Sequence, residues 1–115
     1  MSEVTVIPAD AQRVVVLTGA STGIGYASAR DLVSRGVFVF AGVRRPEDAD
    51  KVRALSERLI EPLTLDICDD EQVTAAAERV QAALSAAGRP VLSALINNAG
   101  VALGGPLLEL SLIHI

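Results

Sequence analysis

A chain of 115 residues with a formal net charge of −4 fits one domain and carries no basic footprint for nucleic acid. Half of the residues are hydrophobic but only 3% are aromatic, so a core has to be built from Val, Leu, Ile and Ala. One cysteine excludes an internal disulfide framework, and no apolar run has the length of a membrane span or the pattern of a leader, which reads as a soluble cytoplasmic protein. Residues 1–12, with Pro8, repeat at neither helical nor strand period and are expected to form a loosely held extension.

The first strand is predicted from Arg13 to Leu17. Val14, Val15, Val16 and Leu17 are consecutive rather than alternating, which indicates burial on both faces and hence a parallel sheet. The run enters a turn carrying Gly19, Gly23 and Gly25, and a helix is predicted from Ile24 to Ser34. Ile24, Ala27, Ala29, Leu32 and Val33 are its expected inward stripe, and Gly36 its stop. Strand, glycine turn and helix N-terminus in that order make a phosphate site. The first N–H groups of a helix lack partners, its dipole puts partial positive charge there, and glycine lets a pyrophosphate come close. Ser21, Thr22 and Ile24 in the same turn join the three glycines as candidate cofactor contacts. The spacing G-x-x-x-G-x-G differs from G-x-G-x-x-G, and the turn lacks the lysine of the ATPase phosphate loop. Tyr26 has no lysine four residues on and reads as structural.

A second strand is predicted from Val37 to Val43, followed by Arg44, Arg45 and Pro46. In a doubly wound fold the adenosine ribose lies beside this strand end, where an acid would bond a free 2′-hydroxyl. Here Val43 takes the acid's place and Arg44 follows it. A guanidinium matches a 2′-phosphate, and Ser21 offers a hydroxyl to the same group, which favours NADP(H) over NAD(H). The plain alternative is a solvated arginine turn. Pro46 to Leu59 reads as a helix with Val52, Leu55 and Leu59 inward, and Lys51 on its exposed side away from any chemistry. A short third strand spans Glu61 to Leu65. Asp69 then caps a long helix to Ala87, with Gln72 three residues on and Val73, Ala76, Ala77, Val80, Leu84 and Ala87 on one face. Cys68, among Asp66, Asp69 and Asp70, is expected to be a small buried filler. After Gly88 and Pro90, a fourth strand from Val91 to Ile96 runs into Asn97, Asn98, Ala99 and Gly100.

T-G-x-x-x-G-I-G from Thr18 and N-N-A-G from Asn97, in that order and context, resemble the two signatures of the short-chain dehydrogenase/reductase family. The resemblance covers about Arg13 to Ser111 and implies an α/β, doubly wound parallel-sheet Rossmann fold, present in part, with strand order 3-2-1-4. It implies that Asp66 accepts from the adenine amino group with the Ile67 N–H near the ring; the plain alternative for Asp66 is a helix-terminal acid. Asn98, Ala99 and Gly100 would line the cofactor ribose, and Asn97 would brace neighbouring backbone. The implied activity is hydride transfer between NADP(H) and a small-molecule alcohol or carbonyl substrate, in a homo-oligomeric parent that contacts neither nucleic acid nor membrane.

The sequence departs from the family in having no Y-x-x-x-K: its one tyrosine is Tyr26 and its one lysine is Lys51. Leu107 to Ser111 read as the approach to a helix that does not follow. The closing S-L-I-H-I resembles a translated sequencing-adapter tail, so residues 112–115 are expected to be non-native and His114 is given no role. These features describe an oxidoreductase fragment without its catalytic half; the alternative is a non-catalytic dinucleotide-binding module or a subunit completed by another chain. The apolar fourth strand would then be an exposed edge prone to aggregation.

Overall fold

The computed structural model describes residues 5–89 and 92–98. Four strands, β1 (Arg13–Leu17), β2 (Val37–Val43), β3 (Ile60–Thr64) and β4 (Ala94–Ile96), form one sheet in the order β3-β2-β1-β4. All pairings are parallel, with Val15 opposite Val39 and Ala94, and Val43 opposite Thr64. Helices α1 (Gly23–Ser34), α2 (Ala49–Arg53) and α3 (Asp70–Ala86) connect the strands, α2 being preceded by a 3₁₀ turn at Pro46–Asp48.

The continuous apolar strands have the double burial expected of a parallel sheet. All seven residues of β2 are buried, and the strand period of two sends them to opposite faces. Val37, Val39, Ala41 and Val43 join Val15, Leu17 and Ile60 beneath Ala29 of α1 and Val52 of α2. Phe38 and Phe40, edge to face with centroids 5.1 Å apart, join Val14, Val16 and Leu63 beneath Val80, Ala83 and Leu84 of α3. The sheet is therefore covered on both sides, with α1 and α2 on one and α3 on the other.

Several expectations change in detail. The inward stripe of α1 keeps the expected Ala29, Leu32 and Val33 but begins with Gly25 and Tyr26; Ile24 is 77% exposed and Ala27 is exposed as well. On α3 the fully buried position is Ala83, which the periodicity missed, while Val73 and Ala77 are only half-buried. The helix expected to reach Leu59 ends at Arg53. The Ser56 hydroxyl accepts from the Arg58 and Leu59 N–H groups, and such local bonds compete with helix. Leu59 instead enters the sheet, its carbonyl accepting from the Val39 N–H at 2.8 Å. Cys68 is exposed rather than buried, because the Asp66 carboxylate accepts its N–H at 3.0 Å and turns the chain outward. β4 starts at Ala94; Pro90 and Val91 lie outside the described residues.

The N-terminal lead is packed, not loose, over residues 7–12. Ile7 and Ala11 belong to the core cluster under α3, so α3 does not cover that face alone. The Gln12 N–H bonds the Gly36 carbonyl at 3.0 Å, the Arg89 guanidinium donates to the Ala9 and Ala11 carbonyls, and Arg58 pairs with Asp10. The Ile7→Ala variant is therefore expected to lose about 2–3 kcal/mol of stability, as for other buried aliphatic truncations. Urea denaturation measures it, and a loss within about 0.5 kcal/mol, the range of surface substitutions, would return the segment to a loose extension.

Candidate functional site

The carboxyl ends of β1, β2 and β3 lie along one edge of the sheet, and the order of strands reverses between β1 and β4. Open α/β sheets bind ligands in the crevice at such a reversal. Here it brings the glycine turn after β1 against Asn97 and Asn98 after β4. Thr18, only 2% exposed, is the tie. Its N–H donates to the Ile96 carbonyl at 3.0 Å, and its hydroxyl oxygen accepts from the Asn98 N–H at 2.9 Å. The Asn98 side-chain amide donates to the Gly19 carbonyl at 3.3 Å. Asn98 thus braces backbone, the part expected of Asn97. Sequence reading gave Thr18 no such role, because the tie depends on the pairing of two distant strands.

The turn's glycines are required for different reasons. Gly23 has φ of +57°, and a Cβ there would meet no protein atom within 4 Å. At Gly25 a Cβ would stand 1.9 Å from the Gly19 carbonyl oxygen and 2.6 Å from the Asn98 amide nitrogen. Gly25 therefore lets the helix seat directly on the turn and on the β4 loop, a closeness internal to the protein. Ala20, fully buried, adds a bond from its N–H to the Gly42 carbonyl at 2.9 Å and fastens the turn to β2.

The twelve-residue α1 starts in this crevice. Thr22 precedes it in an extended conformation without a side-chain capping bond, and its first turn holds no acid. α3 is the contrast: the Asp69 carboxylate accepts from the Glu71 and Gln72 N–H groups at 3.0 and 3.3 Å. The orphan donors and positive dipole end are thus covered by a protein anion on α3 and left uncovered by any cap on α1.

Of the other predicted positions, Ser21 is half-buried in the turn, and Ile24 projects from the start of α1. Arg44 follows buried Val43 at the end of β2; Arg44 and Arg45 are both exposed, and neither forms an ion pair among the described residues. Asp66 and Ile67, half-buried, follow β3. The Asp66 N–H donates to the Gln72 side-chain oxygen at 2.8 Å, so Gln72 serves this turn instead of completing a capping box with Asp69. Ala99 and Gly100 lie outside the described residues. Among the described residues no His, Cys, Asp or Glu grouping suits a metal ion, and no helix is long and apolar enough to cross a membrane.

The Gly25→Ala variant is expected to be more destabilising than Gly23→Ala, although Gly23 has the positive φ. Alanine at position 23 faces open space and costs about 1–2 kcal/mol of left-handed strain, whereas at position 25 backbone has to move. Paired urea denaturation curves check the order.

The sequence matches the family model for short chain dehydrogenase over residues 13–114. The NADPH-dependent 3-dehydrocapnine reductase of Ornithobacterium rhinotracheale is 37% identical over 95 residues, covering 83% of this chain and 32% of the relative. A probable NADP-dependent dehydrogenase of Dichelobacter nodosus is 37% identical over 94 residues, covering 79% of this chain and 81% of that one. The crystal structure of a metagenomic short-chain oxidoreductase in complex with NADP superposes with a TM-score of 0.67 at 36% identity, covering 85% of this chain and 43% of the other. L-Sorbose reductase of Gluconobacter frateurii, solved with NADPH and L-sorbose, superposes with a TM-score of 0.68 at 27% identity, covering 80% and 35%. The chain spans about a third of the length of the curated relatives it first matches. Two signatures joined at the strand reversal and this run of matched residues make the chain a member of the short chain dehydrogenase family of oxidoreductases.

Proposed function

We propose that this chain binds NADP(H) across the ends of β1–β4, as the cofactor-holding part of an oxidoreductase that interconverts an alcohol and a carbonyl compound. The observation that carries the reading is the uncapped start of α1, seated by Gly25 on the Gly19 carbonyl and Asn98. A helix end without a capping acid, with open space beside Gly23, fits a diphosphate. Gly19, Ser21, Thr22, Gly23, Ile24 and Gly25 would hold it. Asn98, with Ala99 and Gly100, would contact the ribose, and the Asp66–Ile67 turn would receive the adenine. Bound there, the nicotinamide supplies or accepts the hydride.

Arg44 carries the preference for NADP(H) in this reading. Its side chain is exposed beside β2, free of an ion pair among the described residues, and no acid stands at Val43 to repel a 2′-phosphate. The NADPH or NADP in the names of two relatives and two solved structures supports the same choice.

The 115 residues contain no Y-x-x-x-K, so the purified chain by itself is expected to bind NADPH without reducing carbonyl compounds; turnover of a carbonyl panel would overturn that expectation.

Isothermal titration with NADPH and NADH tests the cofactor assignment. NADPH is expected to bind at least about tenfold more tightly, and Arg44→Ala to remove most of that difference, since a charge-assisted bond is worth about 1.5–3 kcal/mol. Equal affinities would overturn the role of Arg44, and binding of neither dinucleotide would overturn the function.

A further inference from the structure

Tyr26 and Lys51, which the sequence reading set aside, connect the two ends of the candidate site. Tyr26 directly follows Gly25 in the first turn of α1, its N–H bonded to the Thr22 carbonyl at 3.3 Å, and its ring packs against the core on that face. Lys51 sits on α2 with its ammonium over that ring. Glu47, four residues before Lys51, lies in the 3₁₀ turn ahead of α2 and not on the helix itself. Among the described residues Lys51 forms no ion pair.

α2 has five residues, too few to be stable as a helix by itself, so its position depends on what it packs against. Val52, fully buried, with Ala49 and Leu55 packed around it, seats α2 on the core, and the Lys51–Tyr26 contact ties it to α1. The 3₁₀ turn leading into α2 is joined to Arg45 through the bond from the Asp48 N–H to the Arg45 carbonyl at 3.0 Å. The Arg44–Arg45 segment is thus held between the end of β2 at Val43 and the turn that leads into α2. We infer that Tyr26 and Lys51 are a positioning pair that sets the distance between the diphosphate end of α1 and the arginines beside β2, and so sharpens the preference for a 2′-phosphorylated dinucleotide. This rests on the NADP(H) reading above.

Lys51→Met removes the cation and keeps most of the stem; Tyr26→Leu removes the ring and keeps the cation. Each is expected to weaken NADPH binding roughly two- to five-fold, the size of an exposed cation–π contact, and to leave NADH binding unchanged. Lys51→Arg and Tyr26→Phe keep the contact and are expected to retain wild-type preference. The double variant Tyr26→Leu/Lys51→Met is expected to lose no more than either single one, with far-UV circular dichroism melts showing that each variant is folded. Equal losses for both dinucleotides, an additive double variant, or unchanged NADPH affinity would each overturn the pair's role. Those results would leave the NADP(H) reading in place if the wild-type chain prefers NADPH, whereas a wild-type chain that binds neither dinucleotide overturns both.

Discussion

The approach of Gly25 to the Gly19 carbonyl is the constraint on which the rest of the site depends. It is a steric condition before it is a binding one. With no Cβ in the way, α1 starts close enough to the turn for the Asn98 amide to reach the Gly19 carbonyl, while the pairing of β1 with β4 brings the Asn98 N–H within 2.9 Å of the Thr18 hydroxyl. β1 and β4 are 79 residues apart along the chain where Leu17 faces Ile96, yet the two loops leaving them are bonded to each other by side chains as well as by the sheet. Thr18 is buried, so an unmet Asn98 N–H there would carry the full cost of desolvation. The turn's shape is consequently fixed by the protein's own bonds.

Electrostatics then separates the helix starts. α3 consumes its own N-terminal donors through Asp69, and the Asp66 turn before it is stitched by Gln72 and by the Cys68 N–H. α1 has the same dipole and the same orphan donors, with Thr22 extended and not capping. One face of the sheet is filled by aliphatic side chains and the other by aliphatic and phenyl ones. At the strand ends, by contrast, the uncapped start of α1 and the two exposed arginines meet solvent.

Much of this was legible in the sequence, and the failures have a common cause. Consecutive valines announced a doubly covered parallel strand, and Gly36 and Gly88 announced helix ends, with φ of +82° and +71°. These are local signals: a side-chain period or a φ that favours one residue type. What could not be read was set by partners distant in the chain. Ile7 and Ala11 have no period, and only Val80, Leu84 and Arg89 reveal why they are ordered. Ser56 ends a helix that the spacing of Val52, Leu55 and Leu59 would have extended. On α1 the hydrophobicity of Ile24 points to core, whereas close seating at Gly25 turns position 24 outward, while Ala29, Leu32 and Val33 face inward as their spacing predicts. At Gly25 the need for glycine also comes from the protein's own backbone, since a Cβ would meet the Gly19 carbonyl and the Asn98 amide.

The four strand ends that carry the proposed contacts differ in how their side chains are held. After β1 the chain is tied by Thr18, Ala20 and Asn98, and after β3 by the Asp66 and Gln72 bonds. After β2, Arg44 and Arg45 extend long side chains into solvent with no ion pair among the described residues, on a segment whose neighbour α2 is a single short helix. On the proposed reading, the tied ends meet the diphosphate and adenine common to both nicotinamide cofactors. The looser end meets the one position at which those cofactors differ. Rigid backbone serves recognition of a shared shape, because little ordering entropy remains to be lost there on binding. A charge that tells a 2′-phosphate from a 2′-hydroxyl is supplied instead by a guanidinium fork, and on the inference above its distance from the diphosphate end follows how α2 is anchored to α1.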